Sequence, residues 1–254
     1  MKILKNSGTF EVLTKPENVI DDIAEAARTC YQSQDKSSPE NDLKLVKNLM
    51  NREHFAMFEF SNMNVKFHYV SRGFTHEMVR HRLCSFAQES TRYVDESDLH
   101  VVVPPHKDER EAVIDDVNGP GSYGMTDHFT EVERVYCDLR QAGWKPEDAR
   151  QVLPIATKSQ IVVGANIREW RHIFSMRCDH FAHWEIRGVM LKLLKWCQEN
   201  IPIVFDDFHF FKTEDGKDYA RTVTPFNKLK ELIKHHIEVN YENRQILEFY
   251  LGEL

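Results

Sequence analysis

No stretch of this chain runs apolar for the roughly 18 residues that a membrane-spanning helix needs. The opening Met1-Lys2-Ile3-Leu4-Lys5-Asn6 has no apolar core of signal-peptide length either. A soluble, unsecreted, cytoplasmic protein with no membrane partner is therefore expected. Cysteine is scarce: the five residues Cys30, Cys84, Cys137, Cys178 and Cys197 are odd in number, widely spaced and contain no Cys-x-x-Cys pair. That pattern supports neither a disulfide framework nor a thiolate zinc site, and it suits a reducing cytosol. Positive charge is in deficit, since 33 Lys and Arg stand against 40 Asp and Glu for a net −7. A general nucleic-acid coat or an anionic-membrane binder needs a broad positive field, so neither is expected. Internal repeats and low-complexity tracts are missing as well. What remains is 254 residues, 41% of them apolar, enough for one large domain or two small ones, and one is expected.

Against this acidic background one stretch concentrates cations: Arg80-His81-Arg82-Leu83-Cys84-Ser85-Phe86-Ala87-Gln88-Glu89-Ser90-Thr91-Arg92-Tyr93. A guanidinium gives planar, bidentate recognition of a phosphate or a polarised carbonyl and keeps its charge at any working pH. The stretch reads as a local anion site. Its bland alternative is an exposed charged helix laced with ion pairs, such as Glu77 with Arg80 or His81. A helix from near Ser71 would carry Glu77, Arg80, His81 and Cys84 on one side. On that helix Arg80 and Arg82 would lie about 200° apart, implying two anions or two subunits. An extended continuation would put Gln88, Ser90 and Arg92 on one face.

The flanking chain reads as alternating strands and helices. Residues 1–15 read as a short strand or hairpin. Ile20, Ile23 and Cys30 are spaced for a helix over Val19–Tyr31, and Ser38-Pro39-Glu40 caps a second over 39–51. His54 to Glu59 is a connection. Met63, Val65, Phe67 and Tyr69 alternate with polar residues, the period of a half-buried strand. His100 to Val103 is a β segment stopped by Pro104-Pro105, and Lys107 to Gly124 reads as a mobile surface insertion. A helix over Asp127–Ala142 closes at Gly143, and Pro146 opens a short one holding Arg150. Thr157 to Val163 is strand-like. A helix from Asn166 would align Asn166, Trp170, Ile173 and Arg177. Ala182 to Asn200 is amphipathic, with Ala182, Ile186, Val189, Leu193 and Cys197 inward. After Phe208 a charged turn region, Lys212 to Asp218, precedes helical patterns over Asn227–Glu238 and Glu242–Leu251. The histidines His172, His180 and His183 lack a carboxylate or cysteine pattern, so no metal is expected. Trp170 and Trp184 read as core, and Cys84 as a buried structural cysteine.

Arg80-His81-Arg82, seven residues, then Ser90 resembles the signature of the flavin-dependent thymidylate synthases, the ThyX family, and Thr91-Arg92-Tyr93 continues the match. His54 with Glu59 upstream is similar to the family's histidine and glutamate. Downstream, Arg150 before Leu153-Pro154, then Asn166-x-Arg168, Arg177 and Ala182-x-Trp184-Glu185-Ile186-Arg187 keep the family's order and spacing, so the likeness covers residues 10–208. It implies an α+β, ThyX-like fold, with a central antiparallel-rich sheet flanked by helices. Residues 1–208 would form the catalytic domain, and 209–254 a helical C-terminal extension packed on it. It also implies a homotetramer with sites shared between subunits.

The activity implied is methylation of dUMP at C5, with methylenetetrahydrofolate as carbon donor and NADPH as reductant through FAD. The carried-over roles are Arg80, Arg82 and Arg177 in catalysis. Glu77, Arg80, Gln88, Ser90, Arg92, Arg150 and Arg177 would hold dUMP. His54, Glu59, Arg80, His81, Arg82, Leu83, Asn166, Arg168 and His172 would hold FAD. Ser90 reads as a nucleotide contact rather than a nucleophile, since no base and orienter flank it. The chain departs from the family at Ala56, Phe60, Ala87, Phe181 and His183, mostly on the flavin side. The departures at Ala87 and Phe181 permit a relative that delivers another C5 substituent or takes another pyrimidine nucleotide, while the arginine cluster leaves open a module that binds nucleotide or RNA without turnover, against which the acidic balance counts.

Overall fold

The computed structural model describes residues 1–107, 115–116, 119–120 and 123–223. The chain opens with β1 (Lys2–Leu4) and β2 (Thr9–Thr14), which join different sheets rather than forming a hairpin. Helices α1 (Val19–Tyr31) and α2 (Pro39–Asn51) have the limits their caps and periodicity dictate. The Ser38 hydroxyl accepts the Asn41 amide, and Pro39 occupies the first turn, where its missing N–H costs nothing. A 3-10 turn, Phe55–Phe60, then leads into β3 (Asn62–Ser71).

Strand β3 buries Met63, Val65 and Phe67 completely, as alternation requires, but Tyr69 breaks the pattern. A register shift follows Phe67, Tyr69 sits at φ 54° with 54% exposure, and Val70 takes the inward position. The irregularity slides the strand's inward face by one residue, to Val70, and Ser71 next to it is buried against Glu185. Helix α3 (Arg72–Met78) starts there, with the Ser71 hydroxyl accepting the Phe74 amide, and it ends at Met78. Arg80 and His81 therefore lie in the turn beyond the helix, not on its face. Nothing in Val79-Arg80-His81-Arg82 breaks a helix by composition. The break is tertiary: β4 (Ser85–Gln88) must begin at Ser85 to pair with a distant strand, and the chain has to leave the helix to reach it.

Strand β5 (His100–Val102) pairs in parallel with β1, and β6 (Asp115–Asp116) pairs with β7 (Gly119–Pro120); the rest of the expected insertion lies outside the described residues. Helix α4 (Met125–Gln141) closes at Gly143, whose φ of +88° suits glycine, and α5 (Pro146–Ala149) is one turn ending at Arg150. Strand β8 (Lys158–Asn166) runs longer than its sequence suggested and alternates throughout. It lies between β3 and β4 in the antiparallel sheet β2-β3-β8-β4. Helices α6 (Ile167–Arg177) and α7 (Trp184–Asn200) follow. The main core joins Val65, Phe67 and Val163 of the sheet to Ile23, Trp170, Phe174, Val189 and Leu193 of the helices. Trp170 is fully buried and its indole N–H donates to the Met63 carbonyl at 3.0 Å, which makes it core; Trp184 is only half-buried.

The extension after residue 208 is not helical where it is described. Strands β9 (Phe208–Lys212) and β10 (Asp218–Thr222) form an antiparallel hairpin around the charged turn, with Gly216 at φ +82°. Paired aromatics favour a ladder over a helix face: Phe211 stacks on its cross-strand partner Tyr219 at 5.4 Å. Phe208 and Ala220 are buried in the main core, and the Ala220 amide donates to the Cys178 carbonyl. The helical patterns over 227–238 and 242–251 lie outside the described residues.

Candidate active site

The last turns of α3 and α6 meet at Arg177. Its Nη1 donates to Glu77 Oε2 at 2.8 Å, its Nη2 to the Glu77 carbonyl at 3.0 Å, and its Nε to His81 Nε2 at 3.0 Å. A guanidinium only donates, so Nε2 of His81 must accept, and the ring proton of neutral His81 sits on Nδ1. Burial first, then the charges of Arg177 and His172, pushes the His81 pKa down to about 4, so the ring is neutral at physiological pH. Nδ1 faces Glu169 Oε1 at 3.6 Å, and the His172 ring meets His81 edge-on at 5.7 Å. Glu169 is buried in the first turn of α6, where its backbone amide is capped by Asn166 Oδ1; burial raises its carboxyl above the usual range.

Of these, His81, Asn166, Glu169 and His172 form one wall of a cavity of about 660 Å³, whose other lining residues are Glu59, Arg80, Arg82, Leu83 and Arg168. It gathers every expected flavin-side residue except His54. Arg80 and Arg82 share this cavity instead of diverging, because the helix that would have set them about 200° apart ends at Met78. His54 lines a neighbouring cavity of about 330 Å³ with Cys30, Tyr31, Ala56 and Met57, and Arg168 borders both. Arg168 is held by Glu59 at 2.6 Å.

The remaining nucleotide-side residues form a second group. Gln88, on β4, donates to Thr75 Oγ1 at 2.8 Å, beside Glu77 on α3. Ser90 and Arg92 do not continue an extended strand: the Tyr93 and Val94 amides donate to the Ser90 carbonyl, and the Arg92 amide donates to Ser90 Oγ. This turn brings Arg92 to Glu147 at 3.4 Å and Thr91 to Arg150 Nη1 at 3.4 Å. As site residues, Glu147 and Thr91 escaped sequence reading, as did Glu169, since each acts across elements far apart in the chain. The only local signal for Glu169 was its place three residues after a capping asparagine.

The cluster with metal-ligand proximity among the described residues is His81, Glu169 and His172, not His172 with His180 and His183. A cation there would have to displace the Nδ1 proton of His81 while Nε2 still accepts from Arg177, leaving an imidazolate, so the donor set is a poor one. His180 instead faces Asp179 and the Phe181 and Tyr219 rings, and His183 stands 3.7 Å from Glu77. Cys84 is half-buried, and burial followed by Glu169 pushes its thiol up to about 12, the opposite of an activated nucleophile. Cys84→Ala should retain at least about half of wild-type turnover, and at pH 8 iodoacetamide should label exposed Cys30 well before Cys84, as peptide mass mapping would show.

The family model described as "Thymidylate synthase complementing protein" matches residues 11–203. The chain is 34% identical over 204 residues to a flavin-dependent thymidylate synthase of Mycolicibacterium vanbaalenii, covering 77% of this chain and 82% of that one. It is 36% identical over 209 residues to a flavin-dependent thymidylate synthase of Corynebacterium diphtheriae, at 77% and 81% coverage. The chain belongs to the flavin-dependent thymidylate synthase family. Solved structures agree on the fold. A UMP/dUMP methylase from Streptomyces cacaoi bound with 5-Br dUMP superposes with a TM-score of 0.67 at 21% identity, over 81% of this chain and 96% of that one. Thymidylate synthase X from Helicobacter pylori with FAD and dUMP gives 0.59 at 18%, over 79% and 98%. Of the positions expected to depart from the family, Ala56 lines the smaller cavity, and Phe60 and Phe181 are 65% and 88% exposed.

Proposed function

We propose that the protein methylates dUMP at C5 to form dTMP with FAD as cofactor, methylenetetrahydrofolate as carbon donor and NADPH as reductant. The observation that carries this reading is the position of Arg177, which bonds at once to Glu77 of the nucleotide side and to His81 of the flavin cavity. A cation at that junction can hold a pyrimidine carbonyl against the ring system next to it and stabilise charge developing on its oxygen.

The cavity suits a flavin dinucleotide. Arg80, Arg82 and Arg168 supply three guanidinium groups for a pyrophosphate, the capped start of α6 opens into it, and exposed Leu83 offers an apolar surface to a flat ring. When bound, FAD would supply the redox chemistry of the transfer. The chain's own groups bind and orient. Ser90, Arg92 and Arg150 combine a hydroxyl with two guanidinium groups, the chemistry of a phosphate monoester site. Gln88 can orient the nucleotide through an amide edge, and neutral His81 keeps Arg177 aimed without competing for a proton.

The nucleotide arginines have separate partners, Arg177 on Glu77 and Arg92 on Glu147, and exposed Leu83, Tyr93, Ile155 and Phe181 offer apolar area for subunit contact. Both features support a homotetramer that completes each site from several subunits. All five cysteines are free thiols, which suits a cytoplasmic location, and no helix among the described residues is long and apolar enough to cross a membrane. FAD titration tests the cofactor assignment. Saturable binding that quenches flavin fluorescence is expected. Binding unchanged by Arg168→Ala, or no binding at all, would remove FAD from this cavity.

A further inference from the structure

We infer that Glu169 is a positioning residue for the nucleotide-binding cation Arg177, acting through His81. The inference rests on the proposed roles of the two pockets and adds a member that those roles do not name. Three observations combine. Arg177 Nε occupies His81 Nε2, which leaves Nδ1 as the protonated nitrogen. The oxygen facing Nδ1 is Glu169 Oε1, at 3.6 Å, within ion-pair range and just beyond hydrogen-bond length. Both side chains are almost fully buried, so water is a poor substitute for either partner.

The ring of His81 therefore works as a rigid spacer with a defined polarity. Glu169 holds the Nδ1–H end, and the lone pair at the other end holds Arg177. Without an acceptor at position 169 the ring can take its proton on Nε2. A donor would then face a donor, and Arg177 would swing away from the nucleotide side. The acceptor oxygen does the orienting rather than the charge, so glutamine should replace glutamate. The arrangement also ties the cavity assigned to flavin to the cation assigned to nucleotide, since Glu169 lines the first and steers the second.

The test uses the full chain with FAD, and compares wild type with Glu169→Leu and Glu169→Gln. Nitrogen NMR of labelled histidine, with His81 assigned by its loss in His81→Gln, reads the tautomer directly. Wild type should show neutral His81 protonated on Nδ1 near pH 7. Glu169→Leu should move it toward the Nε2–H form and weaken dUMP, raising its KM and calorimetric Kd about tenfold with a smaller change in kcat. Glu169→Gln should restore both within about twofold. An Nε2–H or doubly protonated His81 in wild type overturns the inference with no variant needed, as does Glu169→Leu with unchanged tautomer and dUMP affinity. If dUMP fails to bind wild type, the proposed function fails, while the tautomer arm still decides whether Glu169 positions His81.

Discussion

Arg177→Ala should lower kcat/KM for dUMP by roughly 10²–10³, with the fold and the cofactor largely retained. The side chain makes three hydrogen bonds, two to Glu77 and one to His81, and it is 15% exposed. Truncation removes a cation from the place where a pyrimidine oxygen would gain charge. It also leaves the Glu77 carboxylate unopposed beside an anionic substrate, so binding and turnover fall together. Lysine should rescue little, because one ammonium cannot serve Glu77 and His81 with the fixed fork that a guanidinium presents. Steady-state kinetics against Arg134→Ala, which removes two exposed ion pairs on α4, separates this loss from a general effect of deleting arginine. An Arg177→Ala protein within tenfold of wild type would remove Arg177 from the reaction.

Glu185→Ala should cost about 3 kcal/mol of stability, roughly 10 °C in melting midpoint for a chain of this size. Its carboxylate is buried at the start of α7 and takes two hydrogen bonds from Ser71, 2.6 Å from the amide and 2.5 Å from the hydroxyl. Ser71 is also the cap of α3, so the same contact fixes where the helix carrying Glu77 begins. Loss of Glu185 leaves a buried amide unpaired and loosens the approach to the site. Glu185→Gln should lose about half as much, since its amide oxygen can accept one of the two bonds but its NH₂ cannot accept the other. Thermal melts read both variants, and an alanine variant within about 2 °C of wild type would sink this account of the α3 cap.

Elements whose limits are written in local chemistry were legible in the sequence. The start of α2 follows from Ser38-Pro39 and the end of α4 from Gly143, while α7 shows itself by amphipathic spacing. Elements whose limits are set by a distant partner were not. Helix α3 stops early because β4 has to reach β8, and the register shift at Tyr69 answers to pairing with that same strand. The hairpin of β9 and β10 reads poorly as strand until Phe208 and Ala220 are seen entering the core.

The candidate site divides along the same line. Eight of the nine residues expected on the flavin side share one cavity, where Glu59, the Arg80–Leu83 turn and the start of α6 converge. His54 falls in the adjoining cavity. Glu169 and Glu147 carry no motif of their own, Thr91 was read only as part of the signature, and their contacts exist because α6, α5 and the turn after β4 bring them to partners placed elsewhere in the chain. The turn at Ser90 was equally hidden. Ser90 and Arg92 alternate as they would in a strand, yet the Ser90 hydroxyl takes the Arg92 amide and bends the chain toward Arg150.

Joining a one-carbon unit to C5 of dUMP changes the mass of the nucleotide. The most direct measurement is the mass of the nucleotide recovered after incubating the purified protein with FAD, NADPH, methylenetetrahydrofolate and dUMP. A product one methyl group heavier than dUMP, co-eluting with dTMP and absent when FAD is left out, is the result expected here. A nucleotide returned unchanged by flavin-loaded protein, or one carrying a different substituent at C5, would contradict it.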